Sequence, residues 1–215
     1  MTIVSLKTGV TEGLRRIELS DGSSFSFKIC YLPPVFINDL FTPGIAEGRT
    51  ISVTEEEGFR FASACLRAEK AAFRLIARAE QSVFGLSRKL GKKGHEPACV
   101  SAVIAHLCEC DFLDDRRYAR LWLETRLNRQ SSSPWRLKAA LSSRGIERND
   151  VDLALKETLD DDTEFRLLQR FAEKIKRKQV AKGGDHESAT AQQSLKYRLR
   201  SEGFSTPAIQ RFFED

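Results

Sequence analysis

The feature that most constrains this chain is an internal repeat. Aligned on their glycines, three segments read LSRKLGKKGHEPACVSAVI from Leu86, LKAALSSRGIERNDVDLAL from Leu137 and LKYRLRSEGFSTPAIQRFF from Leu195. In each, a leucine is followed four residues later by another (Leu90, Leu141, Leu199), and after four more by Gly94, Gly145 or Gly203. Six residues beyond the glycine comes Val100, Val151 or Ile209. The leucine pair marks one helix face, and the glycine supplies a left-handed C′ residue that ends the helix without strain. A second helix then presents its apolar residues to the first. Such a unit cannot bury its own faces, so its copies must stack or be sealed by a further helix.

Caps and sealing helices can be placed around the copies. Ser82 precedes the first pair, and Ser133 followed by Pro134 opens the second. Asp114 is an N-cap with Asp115 in the first turn, and Tyr118, Leu121, Trp122 and Thr125 are expected along one side of the helix that follows. A comparable helix spans DTEFRLLQRFAEKIKRKQV, with Phe165, Leu168, Phe171 and Ile175 inward and Arg170, Lys174, Arg177 and Lys178 outward. Upstream, TEEE from Thr54 fits a capping box with Glu57, opening a helix of about 25 residues whose stripe is Phe61, Cys65, Ala68, Ala72, Leu75, Ile76 and Ala79. Before it, RRIELSDGSSFSFKI alternates apolar and polar residues around an Asp21-Gly22 turn, and a short helix fits around Val35 to Leu40. AKGGDHESAT reads as a linker.

The expected organisation is therefore mainly α, with tandem three-helix repeats and a small N-terminal β element. Residues 1–53 form the strand element, 54–130 the leading helix and first repeat, 131–180 the second repeat, and 181–215 a linker and a third, incomplete repeat.

Composition narrows the function classes. The chain carries 35 Lys+Arg against 30 Asp+Glu. Its first 60 residues hold two more acids than bases, so the net excess of +5 for the whole chain becomes seven in the remainder. A basic field favours nucleic acid or an acidic protein surface as partner. Five cysteines, an odd number lying mostly in apolar helical patterns, point to reduced thiols and an intracellular setting. No stretch resembles a signal peptide or reaches the ~20 apolar residues of a membrane span, so a cytoplasmic chain without membrane contact is expected.

No catalytic residues, cofactor-binding residues or metal ligands are identified. Asp114 and Asp115 are neighbours on a helix whose side chains diverge by about 100°, which suits capping rather than acid/base work. Cys99, His106, Cys108 and Cys110 lack a second ligand pair at zinc spacing and read as core. Trp122 and Trp135 read as packing residues. The candidate binding residues are basic: Arg88, Lys89, Lys92 and Lys93; Arg116, Arg117, Arg120, Arg126 and Arg129; Arg136, Lys138 and Arg144. They recur near equivalent positions and favour a basic stripe along the stack.

FLDDRRYA at Phe112 to Ala119 and SPWRLKAALSSRGI from Ser133 resemble the signatures of the RecX family, the bacterial regulators of the RecA recombinase. The matching positions are Phe112, Asp114, Asp115, Arg117, Tyr118, Ala119, Pro134, Leu137, Leu141 and Gly145. Gly85 stands where members often carry an acid, and Ser133 replaces a common glycine. The resemblance implies an elongated, curved helical molecule acting as a monomer in DNA recombination, repair and the SOS response. It also implies that this molecule lies in the groove of the RecA filament on DNA, inhibits ATP hydrolysis and strand exchange, and favours disassembly. DNA contact would be weak and salt-sensitive. The competing reading is an autonomous helical nucleic-acid-binding module, since a helix, a glycine turn and a helix also describe a helix-turn-helix. Against it, EPACV, ERNDV and STPAI offer no common base-reading set.

Overall fold

A computed structural model describes residues 1–10, 13–34, 36, 47–129, 132–180 and 189–214. The chain is mainly helical and forms two compact units, Met1–Leu113 and Asp114–Asp215.

In the first unit, β1 (Ile3–Thr8), β2 (Leu14–Leu19) and β3 (Ser24–Lys28) form an antiparallel meander in that order. Ile17 pairs with Phe25 and Arg15 with Phe27, as expected for a hairpin turned at Asp21-Gly22, where Gly22 has φ +85°. Ile3, Ile17, Leu19 and Phe27 are buried. They lie beneath α1 (Val53–Ile76), whose Phe59 ring centre is 5.2 Å from that of Phe27. Most of the short helix expected around Val35 to Leu40 falls outside the described residues, as does most of the AKGGDHESAT segment.

The start of α1 differs from the expectation. Its N-cap is Ser52, not Thr54: the Ser52 hydroxyl accepts from the Glu55 amide at 3.2 Å, and the Glu55 carboxylate accepts from the Ser52 amide at 2.7 Å. Ser52-Val-Thr-Glu55 is itself a capping box, one register earlier, and Arg49 selects it by pairing with Glu55 at 2.7 Å. Burial pushes the Glu55 carboxyl up, but the Ser52 amide and hydroxyl and the Arg49 charge outweigh it and hold the group below the usual range. A depressed folded-state value gives stability that is present above the ordinary carboxylate range and lost as pH falls through it. Ser52→Ala should cost about 1 kcal/mol in urea denaturation at pH 7. The loss should shrink as pH falls below about 4; an equal loss at both pH values would show that Glu55 is not held by this cap.

After α1 come α2 (Val83–Lys92) and α3 (Pro97–Glu109); in the second unit, α4 (Asp115–Arg129), α5 (Pro134–Ser142) and α6 (Arg148–Thr158) are followed by α7 (Asp161–Val180), α8 (Ala189–Ser201) and α9 (Thr206–Glu214). The three glycine turns share one geometry. Gly94, Gly145 and Gly203 have φ of +83°, +81° and +87°. Each glycine amide donates to the carbonyl three residues back (Gly91, Ser142, Arg200), at 2.9, 3.0 and 3.0 Å. The next amide donates to Leu90, Leu141 or Leu199, at 3.3, 3.4 and 3.2 Å. This is the Schellman motif in all three copies.

Each helix–glycine–helix pair packs on the long helix that precedes it. Leu86, Leu90, Val103 and Leu107 lie against Cys65, Ala68 and Ala72 of α1. Leu137, Leu141, Val151 and Ala154 lie with Ala119, Leu123 and Leu127 of α4. The α8–α9 pair packs on α7, where Phe171 meets Phe204 at 5.6 Å and the buried Glu164 accepts from the Ser205 amide at 2.7 Å. So α4 packs with the second pair and α7 with the third. The reason is the buried face: on α4 it is Ala119, Leu123 and Leu127, while Leu121 and Thr125, expected inward, are exposed. On α7 the expected faces hold, with Phe165, Leu168, Phe171 and Ile175 buried and Arg170, Lys174, Arg177 and Lys178 exposed.

Copies two and three are tied through Glu202. Its carboxylate accepts from the Ser133 hydroxyl at 2.5 Å and pairs with Arg136 at 3.3 Å, and its carbonyl accepts from the Trp135 amide at 3.1 Å.

Candidate functional site

The signature segment builds its site from a helix start. Asp114 Oδ1 accepts from the amides of Arg116 and Arg117 at 2.9 and 3.0 Å, as the N-cap does. Ala119 is fully buried, so the rotation of α4 is fixed and Arg116 and Arg120 face solvent while Arg117 and Tyr118 lie half-buried. Asp114, Arg116, Arg117, Arg120 and Glu157 line an open cleft of about 370 Å³. Arg116 pairs with Glu157 of α6, which holds its guanidinium still more firmly in the charged form. Arg120 is 3.9 Å from Glu124, a loose pair one turn on. The cleft is positive at its rim and carries one acid from α6 at its far side.

The remaining candidates divide by unit and by pairing. In the first unit, Arg88, Lys92 and Lys93 are exposed on and just after α2, while Lys89 donates to Gln81. In the second, Arg126 and Arg144 sit 5.1 and 4.8 Å from the Trp122 ring centre, a stacked arrangement that spans α4 and the end of α5. Trp122 is half-buried and packs against the core of this unit, as expected, while also carrying the two cations on its ring, and Trp135 is 60% exposed. Arg136 is held by Glu202, and Lys138 by Asp152 at 2.5 Å. The side chain of Arg129 lies outside the described residues. Sequence reasoning missed the acids that anchor this face: Glu157, Asp152 and Glu202 lie 41, 14 and 66 residues from their partners, beyond any helical spacing.

The cysteines are free thiols. Cys65 and Cys99 are buried in the first core, as expected, but Cys110 is exposed and Cys108 half-buried. His106 lies at the edge of that core, 3.8 Å from Glu69, with the Cys30 and Cys110 sulfurs 3.8 and 3.9 Å from its ring nitrogens. Among the described residues no group of His, Cys, Asp and Glu is placed to hold a metal ion, and no helix is long and apolar enough to cross a membrane.

Known proteins place this geometry. A family model described as RecX, second three-helix domain, matches residues 114–155, the span of α4, α5 and most of α6. A regulatory protein RecX of Treponema pallidum (strain Nichols) is 37% identical over 118 residues, covering 55% of this chain and 72% of the relative. Another from Halorhodospira halophila is 30% identical over 139 residues, covering 65% and 81%. A solved structure of regulatory protein RecX aligns with a TM-score of 0.74 at 17% identity over 100% of this chain and 99% of that one. That of RecX from Lactobacillus salivarius aligns at 0.59 and 23% over 71% and 96%. These two solved structures share the fold. With three helix–glycine–helix copies, each on its own leading helix, and a capped Asp114 turn, this chain belongs to the RecX family of regulatory proteins.

Proposed function

We propose that this chain regulates the RecA recombinase without chemistry of its own. It binds the RecA filament on DNA within the filament groove, inhibits ATP hydrolysis and strand exchange, and favours disassembly. The observation that carries this reading is the arginine-rimmed cleft at the signature turn, set on a helix whose rotation is fixed by buried Ala119, Leu123 and Leu127. Basic side chains in both units would add many weak contacts, so affinity arises from their number rather than from any one. Direct DNA contact on this surface would be weak and fall with salt.

The test is DNA-dependent ATP hydrolysis by RecA, titrated with this protein while single-stranded DNA is held in clear excess. Hydrolysis should fall at amounts well below those of the recombinase. A fall only once bare DNA is coated would instead favour an autonomous nucleic-acid-binding module. Arg116→Gln with Arg120→Gln should raise the amount needed for half inhibition about tenfold, the effect of ~1.4 kcal/mol, with the circular dichroism spectrum unchanged. Undiminished inhibition by that folded variant would remove the cleft from the mechanism.

A further inference from the structure

The third helical unit carries a surface that the filament reading does not use. Helix α8, ATAQQSLKYRLRS, holds three basic residues and no acid. Leu195 and Leu199 face the core, which turns Thr190, Gln193, Ser194, Tyr197 and Arg200 outward along one stripe. From Thr190 to Arg200 the stripe is about 15 Å long. Together with Lys196 these residues line an open cleft of about 410 Å³.

Two properties separate this face from an ordinary solvated one. First, Tyr197 is 77% exposed, and its counterparts in the aligned copies are Ala139 and Arg88, so the aromatic ring serves neither the repeat nor the core. Second, its cations Lys196, Arg198 and Arg200 make no ion pair among the described residues, whereas in copy two Arg136 and Lys138 are held by Glu202 and Asp152. Lys196 makes only a distant approach to the Phe213 ring, at 5.8 Å. A second exposed aromatic, Trp135, is anchored near the C-terminal end of α8 by the hydrogen bond that its backbone amide donates to the Glu202 carbonyl.

We infer that α8 is a binding site for bare single-stranded nucleic acid, in which a base stacks on Tyr197 while Arg200 and Lys196 hold the flanking phosphates. An exposed ring beside cations is the combination that single strands recognise, because every base offers a π-face and every linkage a negative charge. An acidic protein surface would use the cations but has no need of the ring. Duplex DNA keeps its bases stacked inside and would gain only the phosphate contacts. The inference goes beyond the filament reading, which concerns the cleft on α4.

The experiment is fluorescence anisotropy of the full-length protein with labelled strands of equal length: oligothymidylate, oligouridylate, an abasic phosphodiester and a duplex. Oligothymidylate or oligouridylate should bind about tenfold more tightly than the abasic strand, and binding should weaken with salt. Tyr197→Ala should remove that difference, and Tyr197→Phe should keep it. Lys196→Gln with Arg200→Gln should weaken all strands alike. Equal affinity for the base-bearing and abasic strands, or an unchanged preference in Tyr197→Ala, would overturn the inference. Displacement of the strand by polyglutamate at equal charge, with Tyr197 indifferent, would assign the face to an acidic protein instead. RecA ATPase inhibition measured on Tyr197→Ala separates the two sites: the α8 site can fail while the α4 cleft stands, and the reverse.

Discussion

Lys28→Met should destabilise the first unit by about 3 kcal/mol, and up to about 5, because it leaves a buried carboxylate without its main partner. Lys28 ends β3 and Glu69 lies on α1. They meet at 2.7 Å with side-chain exposures of 20% and 2%. Glu69 is only 2% exposed on the face of α1 that covers the sheet, so the charge left behind stays buried unless α1 parts from β3. His106, 3.8 Å from the same carboxylate, is the only other basic group recorded against it among the described residues, and it is too distant to replace the lysine contact. Adding Glu69→Leu should restore most of the lost stability, since the cost lies in the orphaned charge rather than in the missing attraction. Urea denaturation of the single and double variants measures both. A loss below about 1 kcal/mol for Lys28→Met would mean that water reaches Glu69 after all.

This pair also marks where the sequence stops being legible. Short-range rules worked: the leucine–glycine spacing placed all three Schellman turns, Asp114 was recognisable as a cap, and the α7 faces followed from their period. Each depends on residues within one or two helical turns. Ser52 was missed in favour of Thr54 because the two capping boxes overlap in SVTEEE, and Arg49, which decides between them, is outside the motif. The α4 face was misjudged for a related reason. Tyr118 and Trp122 do flank the buried side, but Ala119 is the residue that goes to the bottom, and a small residue carries little weight in a hydrophobic pattern.

The grouping of helices was harder still. A repeat alignment fixes the pair around each glycine but does not say whether the sealing helix lies before or after it. That choice is made by contacts such as Glu164 to Ser205, 41 residues apart. The candidate site divides in the same way. Exposure of Arg88, Lys92 and Arg120 follows from helix periodicity, whereas the anchoring of Arg116, Arg136 and Lys138 by acids from other helices does not. The stacking of Arg126 and Arg144 on Trp122 is equally invisible in one dimension.

Equivalence in the repeat is not equivalence in energy, and the glycines show it. Gly94 and Gly203 share a φ near +85°, where any other residue pays about 1–2 kcal/mol and a β-branched one the upper part of that. A Cβ on Gly94 would meet nothing within 4 Å. One on Gly203 would lie 3.3 Å from the Trp135 amide nitrogen and 3.5 Å from its Cβ, in the joint where Glu202 holds Ser133 and Arg136. Ser133 is fully buried, so opening that joint exposes its hydroxyl's need for an acceptor as well as the lost ion pair. Gly94→Val should therefore cost about 2 kcal/mol and Gly203→Val about 3–4 kcal/mol, the excess being the price of the joint. Denaturation midpoints of the two variants decide it. Losses equal within about 0.5 kcal/mol would show that α5 and α8 can shift apart freely, and that Glu202 does not fasten the second copy to the third.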